Sequence, residues 1–185
     1  MPRTDRASRV IAAPPEHVYS ALVNPEALTA WLPPAGMTGT FERFDARPGG
    51  PYRLVLTYAD ASASPGKATA ATDIVESRFI DLVPGVRVVQ AVDFVSDDPT
   101  YAGTMTMTWE VTEVDGGTRV DHHCRQRPGW SRREGSRSRV GLLAHEPRGV
   151  PRGIVEDLKY VGPSPCTASV MVTLPPRHAR AGVRQ

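Results

Sequence analysis

The sequence predicts an α+β domain in which a curved antiparallel sheet carries two short helices near its N-terminus. Two early segments place apolar residues at helical spacing between prolines, and a series of strand-like segments separated by turn residues follows them as far as residue 120. The chain has 185 residues, of which 40% are hydrophobic. This size and composition suit one globular domain, with additional residues that the domain does not need.

The first elements are a strand and two helices. The stretch Ala7–Ala13 is a short apolar strand candidate. Pro14–Asn24 begins with proline, carries Glu16 in its first turn and is predicted to be a helix that ends before Pro25. A second short helix, Glu26–Leu32, is ended by the two prolines that follow it.

Six strand candidates follow, separated by turns that are rich in glycine and proline. They are TGTFERFDA (38–46), YRLVLTY (52–58), KATAATDIVESRFIDLV (67–83), VRVVQAVDFV (86–95), GTMTMTWEVTEV (103–114) and a last strand opened by TRV (118–120). In the fifth, Met105, Met107, Trp109 and Val111 alternate with threonines and a glutamate. One face of the sheet is therefore apolar and needs a cover, which two short helices are too small to supply in full.

Three phrases in this region resemble a known family. PEALTAWLPPAGMTG (25–39), FDARPGGPYRLVLTY (44–58) and YAGTMTMTWEVTEVDGGTRV (101–120) are similar to the branch of the START-like, or SRPBCC, superfamily named after the activator of the heat-shock-protein ATPase. The resemblance covers residues 7–120 and implies the helix-grip fold. It also implies a long C-terminal helix across the concave sheet, and a cavity between the two that binds or processes hydrophobic small molecules.

The predicted ligand-facing residues combine this resemblance with strand parity. Trp31 and Met37 could form the mouth of the cavity. The apolar and aromatic walls are Tyr52, Leu54, Leu56, Tyr58, Phe79, Met105, Met107 and Trp109. Parity also places Asp73 and Gln90 inward, where either could orient a ligand. Taken singly, each of these residues is as well explained by an ordinary core, and His17, the histidine of residues 1–120, by a solvated helix face.

The stretch Val120–Trp130, VDHHCRQRPGW, brings aspartate, two histidines and cysteine together. Asp-His-His-Cys is the signature of protein palmitoyltransferases, and its last three residue types are good zinc ligands. The sequence lacks the transmembrane helices of a palmitoyltransferase. It also lacks a fourth ligand at the spacing that a zinc site needs. Read one base out of frame, with C at the free third bases, the codons of Asp121–Cys124 give three threonines and an alanine, which is compatible with the family pattern.

We therefore interpret residues 121–185 as an irregular tail rich in Arg, Gly and Pro, translated out of frame, after a truncated domain at 1–120. The lid helix would then be absent or replaced. We expect the chain to be destabilised, dimerised through its uncovered face, or capped by a tail segment such as VGLLAH (140–145) or ASVMVTLP (168–175). The basic charge of the tail could also indicate nucleic-acid binding, but GC-rich DNA read out of frame yields arginine without any such partner.

These observations favour a cytoplasmic domain that binds a hydrophobic small molecule, with no catalytic residue, metal or cofactor assigned and no nucleic-acid or membrane partner. No apolar run approaches the roughly 18 residues of a membrane span, and two cysteines make no disulfide framework. An enzyme of the polyketide cyclase or dehydratase kind is the alternative, with Asp73 or Tyr58 as acid or base. A co-chaperone that activates an ATPase is a third possibility, suggested by the family name alone.

Overall fold

A computed structural model describes residues 4–34, 36–59, 72–94, 103–125 and 150–161. Within these ranges the chain forms seven strands and three helices. In chain order they are β1 (Thr4–Ile11), α1 (Pro15–Val23), α2 (Pro25–Trp31), β2 (Met37–Phe44), β3 (Pro51–Tyr58), β4 (Thr72–Val83), β5 (Arg87–Phe94), β6 (Gly103–Val114), β7 (Gly117–Arg125) and α3 (Arg152–Val161).

The strands form one antiparallel sheet in the order β1-β7-β6-β5-β4-β3-β2. Strands β2 to β7 are a simple meander, and β1 returns to lie beside β7, with Thr4 opposite Arg125 and Ile11 opposite Thr118. One face carries the buried apolar residues, and the three helices pack on that face, which we call the concave face. The predicted α+β fold with a curved antiparallel sheet and two short N-terminal helices is confirmed.

Glycine is required where β7 begins beside the end of β1. Gly117 has a φ of +149°, and a Cβ atom there would lie 2.1 Å from the backbone oxygen of Ile11. Any side chain would therefore push the two strands apart. Together with Gly116, whose φ is +83°, this residue forms the predicted turn between β6 and β7.

Asn24 joins the two N-terminal helices. It ends α1, where its N–H donates to the Ser20 carbonyl over 2.9 Å. It also caps α2, where its Oδ1 accepts from the Ala27 N–H over 2.9 Å. Pro25 follows as the first residue of α2, where a missing N–H costs no hydrogen bond. The backbone of Asn24 thus ends α1 and its side chain begins α2, so one residue links the two helices.

Replacing Asn24 with alanine should lower the free energy of unfolding by about 1 kcal/mol, because the cap of α2 is lost. The midpoint of urea unfolding measures this change. Thr29→Ala is a suitable control, since Thr29 lies in the same helix and its exposed hydroxyl donates only to the Glu26 carbonyl. Equal losses in both variants would argue against a capping role for Asn24.

Two features after residue 120 correct the expectation of an irregular tail. Strand β7 continues through Arg125, in register with both β1 and β6. Residues 152–161 form α3, whose Ile154, Val155 and Leu158 are buried in the core. A C-terminal helix is therefore present, although only ten residues long. The two capping segments predicted from the sequence, 140–145 and 168–175, lie outside the described residues.

Candidate ligand-binding site

The concave face brings most of the predicted ligand-facing residues together. Ten of the twelve are buried: Trp31, Tyr52, Leu54, Leu56, Asp73, Phe79, Gln90, Met105, Met107 and Trp109. Met37 and Tyr58 are partly buried, at the facing ends of β2 and β3, where they are cross-strand partners. The pleat of β3 to β6 causes this convergence, because alternate residues of each strand point to the same side.

Trp31 does not lie at the mouth of a cavity, where the sequence placed it. It ends α2 with a side chain only 1% exposed, and its indole N–H donates to the Ala21 carbonyl over 3.1 Å. Its ring meets Trp109 edge to face, with ring centroids 5.3 Å apart. Trp31 therefore belongs to the packed wall between the helices and β6, because a buried indole needs a hydrogen-bond acceptor and finds it on α1.

Tyr58 and Asp73 form a hydrogen-bonded pair at one end of the face. The Tyr58 hydroxyl donates to Asp73 Oδ2 over 2.8 Å, and Asp73 is only 4% exposed. Burial, followed by the hydrogen bond and charge of Asp73, raises the pKa of Tyr58 to about 12. At neutral pH the tyrosine thus keeps its proton beside the Asp73 side chain, an arrangement that can position a polar group or pass a proton.

Gln90 places an amide in the middle of the face. It is 2% exposed, and its cross-strand partners are Phe79 on β4 and Met107 on β6. A bulge follows Phe79, yet it does not turn Gln90 outward. An amide offers both donors and an acceptor, so this residue can orient a ligand among apolar walls.

An aromatic cluster occupies the side of the face towards β2. Phe44 and Phe79 meet nearly at right angles with centroids 5.7 Å apart, and Tyr52 lies 5.4 Å from Phe79. Burial raises the pKa of Tyr52 to about 12. The turn before β3 is held against this cluster, because the Gly49 N–H donates to the Phe79 carbonyl over 2.7 Å.

Sequence reasoning missed His122. This residue is 0% exposed and its ring stacks on Trp109, with centroids 4.0 Å apart and an interplanar angle of 28°. Neither ring nitrogen has a hydrogen-bond partner among the described residues. Burial and, to a smaller extent, the neighbouring His123 lower the pKa of His122 to about 4. The missed signal was the alternation of Thr118, Val120, His122 and Cys124, which continues the strand pattern past residue 120.

The same alternation separates the candidate zinc ligands. His122 and Cys124 point to the concave face, whereas His123 lies on the opposite face, 3.5 Å from Glu110. Adjacent residues of a strand cannot converge on one ion. Within the described ranges, no group of three or more His, Cys, Asp or Glu side chains could hold a metal.

Helix α3 covers the β1–β7 side of the face. It packs on β1 and β7 and touches both N-terminal helices. The Arg9 guanidinium bonds Asp157 Oδ1 through Nε at 2.8 Å and Nη2 at 2.6 Å, which ties the helix to β1. Both side chains are partly exposed, so apolar burial contributes more to the docking of α3 than this ion pair does.

The sequence pattern of one protein family matches residues 12–141. This family is described as the activator of Hsp90 ATPase homolog 1-like proteins. The chain belongs to this family. The match confirms the resemblance and extends it beyond Val120. No curated protein matches the chain.

Solved structures show the same family fold. Protein CV1439 from Chromobacterium violaceum is 31% identical, with a TM-score of 0.57, over 69% of this chain and 81% of that one. A protein from Rhodobacter sphaeroides is 26% identical, with a TM-score of 0.55, over 67% and 72% of the two chains. Protein MLL2253 from Mesorhizobium loti is 20% identical, with a TM-score of 0.51, over 69% and 79%. None of the helices within the described residues of this chain is long and apolar enough to cross a membrane.

Proposed function

We propose that this chain is a cytoplasmic binding domain for a hydrophobic small molecule, held between the concave face and the C-terminal helix. The observation that carries the proposal is the pattern of buried polar side chains among apolar ones. Asp73, Gln90 and His122 are each at most 4% exposed, on three different strands of the same face. Ligand sites commonly combine apolar walls with a few polar groups that fix orientation.

The walls suit an adaptable site. Met105 and Met107 on β6 are unbranched and flexible, so they can fit ligands of irregular shape. Trp109 beside them and the aromatic cluster on the far side offer flat apolar surfaces. Members of this superfamily commonly use such a face for hydrophobic ligands, which supports the same role here.

The neutral fluorescent probe N-phenyl-1-naphthylamine tests this proposal. We expect saturable binding of one probe per chain, weakened about fivefold or more by Met105→Phe, which adds bulk on the concave face. Thr106→Phe puts the same ring on the opposite face of β6 and should leave binding unchanged. Absence of saturable binding, or equal weakening by both variants, would contradict the proposal.

A second candidate function is acid–base catalysis, favoured by the 2.8 Å hydrogen bond between Tyr58 and Asp73. In a dehydration, the Asp73 carboxylate would take a proton from carbon. Tyr58 would donate one to the departing hydroxyl, which leaves as water. Asp73 is only 4% exposed, so bulk water is kept away from the carboxylate that would take the proton.

A β-hydroxy ketone whose enone product absorbs in the ultraviolet would reveal such activity. Asp73→Asn and Tyr58→Phe should each lower the rate by about a hundredfold or more, because each removes one proton-transfer group. Tyr19→Phe is the matched control, since Tyr19 is another partly buried tyrosine and lies on α1. Rates that stay at the native value in the Asp73 and Tyr58 variants would exclude this role.

A separate proposal is that the residues after Val120 are translated from a shifted reading frame. An out-of-frame origin would explain why an unpaired imidazole occupies position 122, where the alternative frame gives threonine if the free third bases are C. The family match to residue 141 and the docking of α3 weigh against it. Sequencing the coding DNA around Val120, together with mass spectrometry of the tryptic peptides of the purified protein, decides between the two frames.

A further inference from the structure

Among the buried polar side chains of the described residues, His122 has the most atoms without a hydrogen-bond partner. Its ring is 0% exposed, and both nitrogens lack a hydrogen-bond partner among the described residues. Leaving such groups unpaired is costly, and native structures rarely do so without a reason. The imidazole lies on β7, one of the two strands on which α3 packs.

The stack on Trp109 fixes the orientation of the imidazole. Its plane lies within 28° of the indole plane at a centroid distance of 4.0 Å. Trp109 is itself held edge to face by Trp31, whose N–H is bonded to α1. Imidazole nitrogens form hydrogen bonds in the plane of the ring, so stacking on Trp109 leaves both of them available to a polar partner.

The surroundings select a neutral partner. The buried polar or charged side chains in the described ranges are Asp73, Ser77, Gln90, Thr118 and His122, and none is a permanent cation. An anionic ligand group would therefore lose its hydration without gaining a counter-ion. The buried carboxylate that could pair with a cation, Asp73, lies on β4, three strands away from β7. A neutral imidazole offers one N–H donor and one acceptor, which a hydroxyl group can match in either direction.

We propose that His122 is the hydrogen-bonding anchor for a neutral hydroxyl or carbonyl group on the hydrophobic ligand of the concave face. This inference rests on the proposed binding function and adds to it the polarity of the ligand. The ligand would be an apolar molecule, aromatic or aliphatic, with an uncharged oxygen at the end that reaches β7. Gln90, on the central strand β5, would contact a different part of the same molecule.

Two matched probes test the anchor: 1-naphthol, which is neutral at pH 7, and naphthalene, which lacks only the hydroxyl. We expect the native protein to bind 1-naphthol about fivefold more tightly than naphthalene, the value of one net hydrogen bond. His122→Phe keeps the stacked ring and removes both nitrogens, so it should abolish that preference. His123→Phe makes the same change on the opposite face and should preserve it.

Nitrogen-15 chemical shifts of the imidazoles provide a measurement that needs no variant. Adding 1-naphthol should shift a His122 ring nitrogen and leave those of His123 in place. If both probes bind saturably with equal affinity, or if the His122 shifts do not respond, the anchor is wrong while the binding function stands. If neither probe binds saturably, both proposals fail.

Discussion

Replacing Leu158 with alanine should lower the free energy of unfolding by about 2–5 kcal/mol. Leu158 is 0% exposed and lies in the core cluster with Ile154 and Val155 of the same helix. Removing a fully buried leucine side chain loses its transfer free energy and leaves a cavity against the sheet. Since small domains are stable by only about 5–15 kcal/mol, this loss would be a large share of the total. Urea unfolding followed by tryptophan fluorescence measures it.

The matched control for this prediction is Lys159→Ala, one residue further along α3. The Lys159 amine pairs with Glu156 over 2.8 Å within the helix, so its removal should cost only a few tenths of a kcal/mol. If Leu158→Ala were as mild as Lys159→Ala, α3 would not be docked on the core. The prediction that the C-terminal lid helix is absent would then stand.

Lowering the pH from 6.5 to 4 should destabilise the native protein by about 3 kcal/mol more than it destabilises the His122→Phe variant. The pKa of His122 falls from 6.5 to about 4 in the folded protein, chiefly through burial. Between these values the unfolded chain binds a proton that the folded chain does not, so stability decreases as the pH falls. A difference of one in pKa between the folded and unfolded states corresponds to about 1.4 kcal/mol.

This comparison separates His122 from the carboxylates that also titrate below pH 5, because they are common to both proteins. Urea unfolding at intervals between pH 4 and 7 gives the two curves, and their difference is the quantity of interest. Parallel curves for the native protein and His122→Phe would mean that His122 is not buried in the folded state.

The sequence was most informative where alternation and turn residues were clear. The pattern around Met105 and Trp109 predicted β6 to the residue, and parity placed Asp73 and Gln90 inside. The hydrogen bond between Tyr58 and Asp73 joins adjacent strands and depends on their register, which composition does not encode. The sequence therefore indicates each of these two residues singly, but not the pair.

Neither the end of β7 nor helix α3 was identified from the sequence, for a physical reason. The strand pattern continues there, but with His122 and Cys124 at the inward positions instead of aliphatic residues. A histidine at an inward position looks like a break in the pattern until its stacking on Trp109 is seen. Likewise, three apolar residues among the described side chains of α3 are buried, with charged residues between them, so the role of this short helix is set by the surface it covers.

The position of β1 has a consequence for how the protein is made. Of the described strands, β1 is synthesised first, yet its pairing partner β7 is synthesised last, with Thr4 opposite Arg125. The backbone N–H and C=O groups of β1 therefore cannot pair with β7 until almost the entire sheet has emerged from the ribosome. Pairing between residues so far apart in the sequence slows folding. Until it forms, the unpaired strand edge can associate with neighbouring nascent chains. Chaperone demand during translation should consequently fall once residue 125 has cleared the exit tunnel.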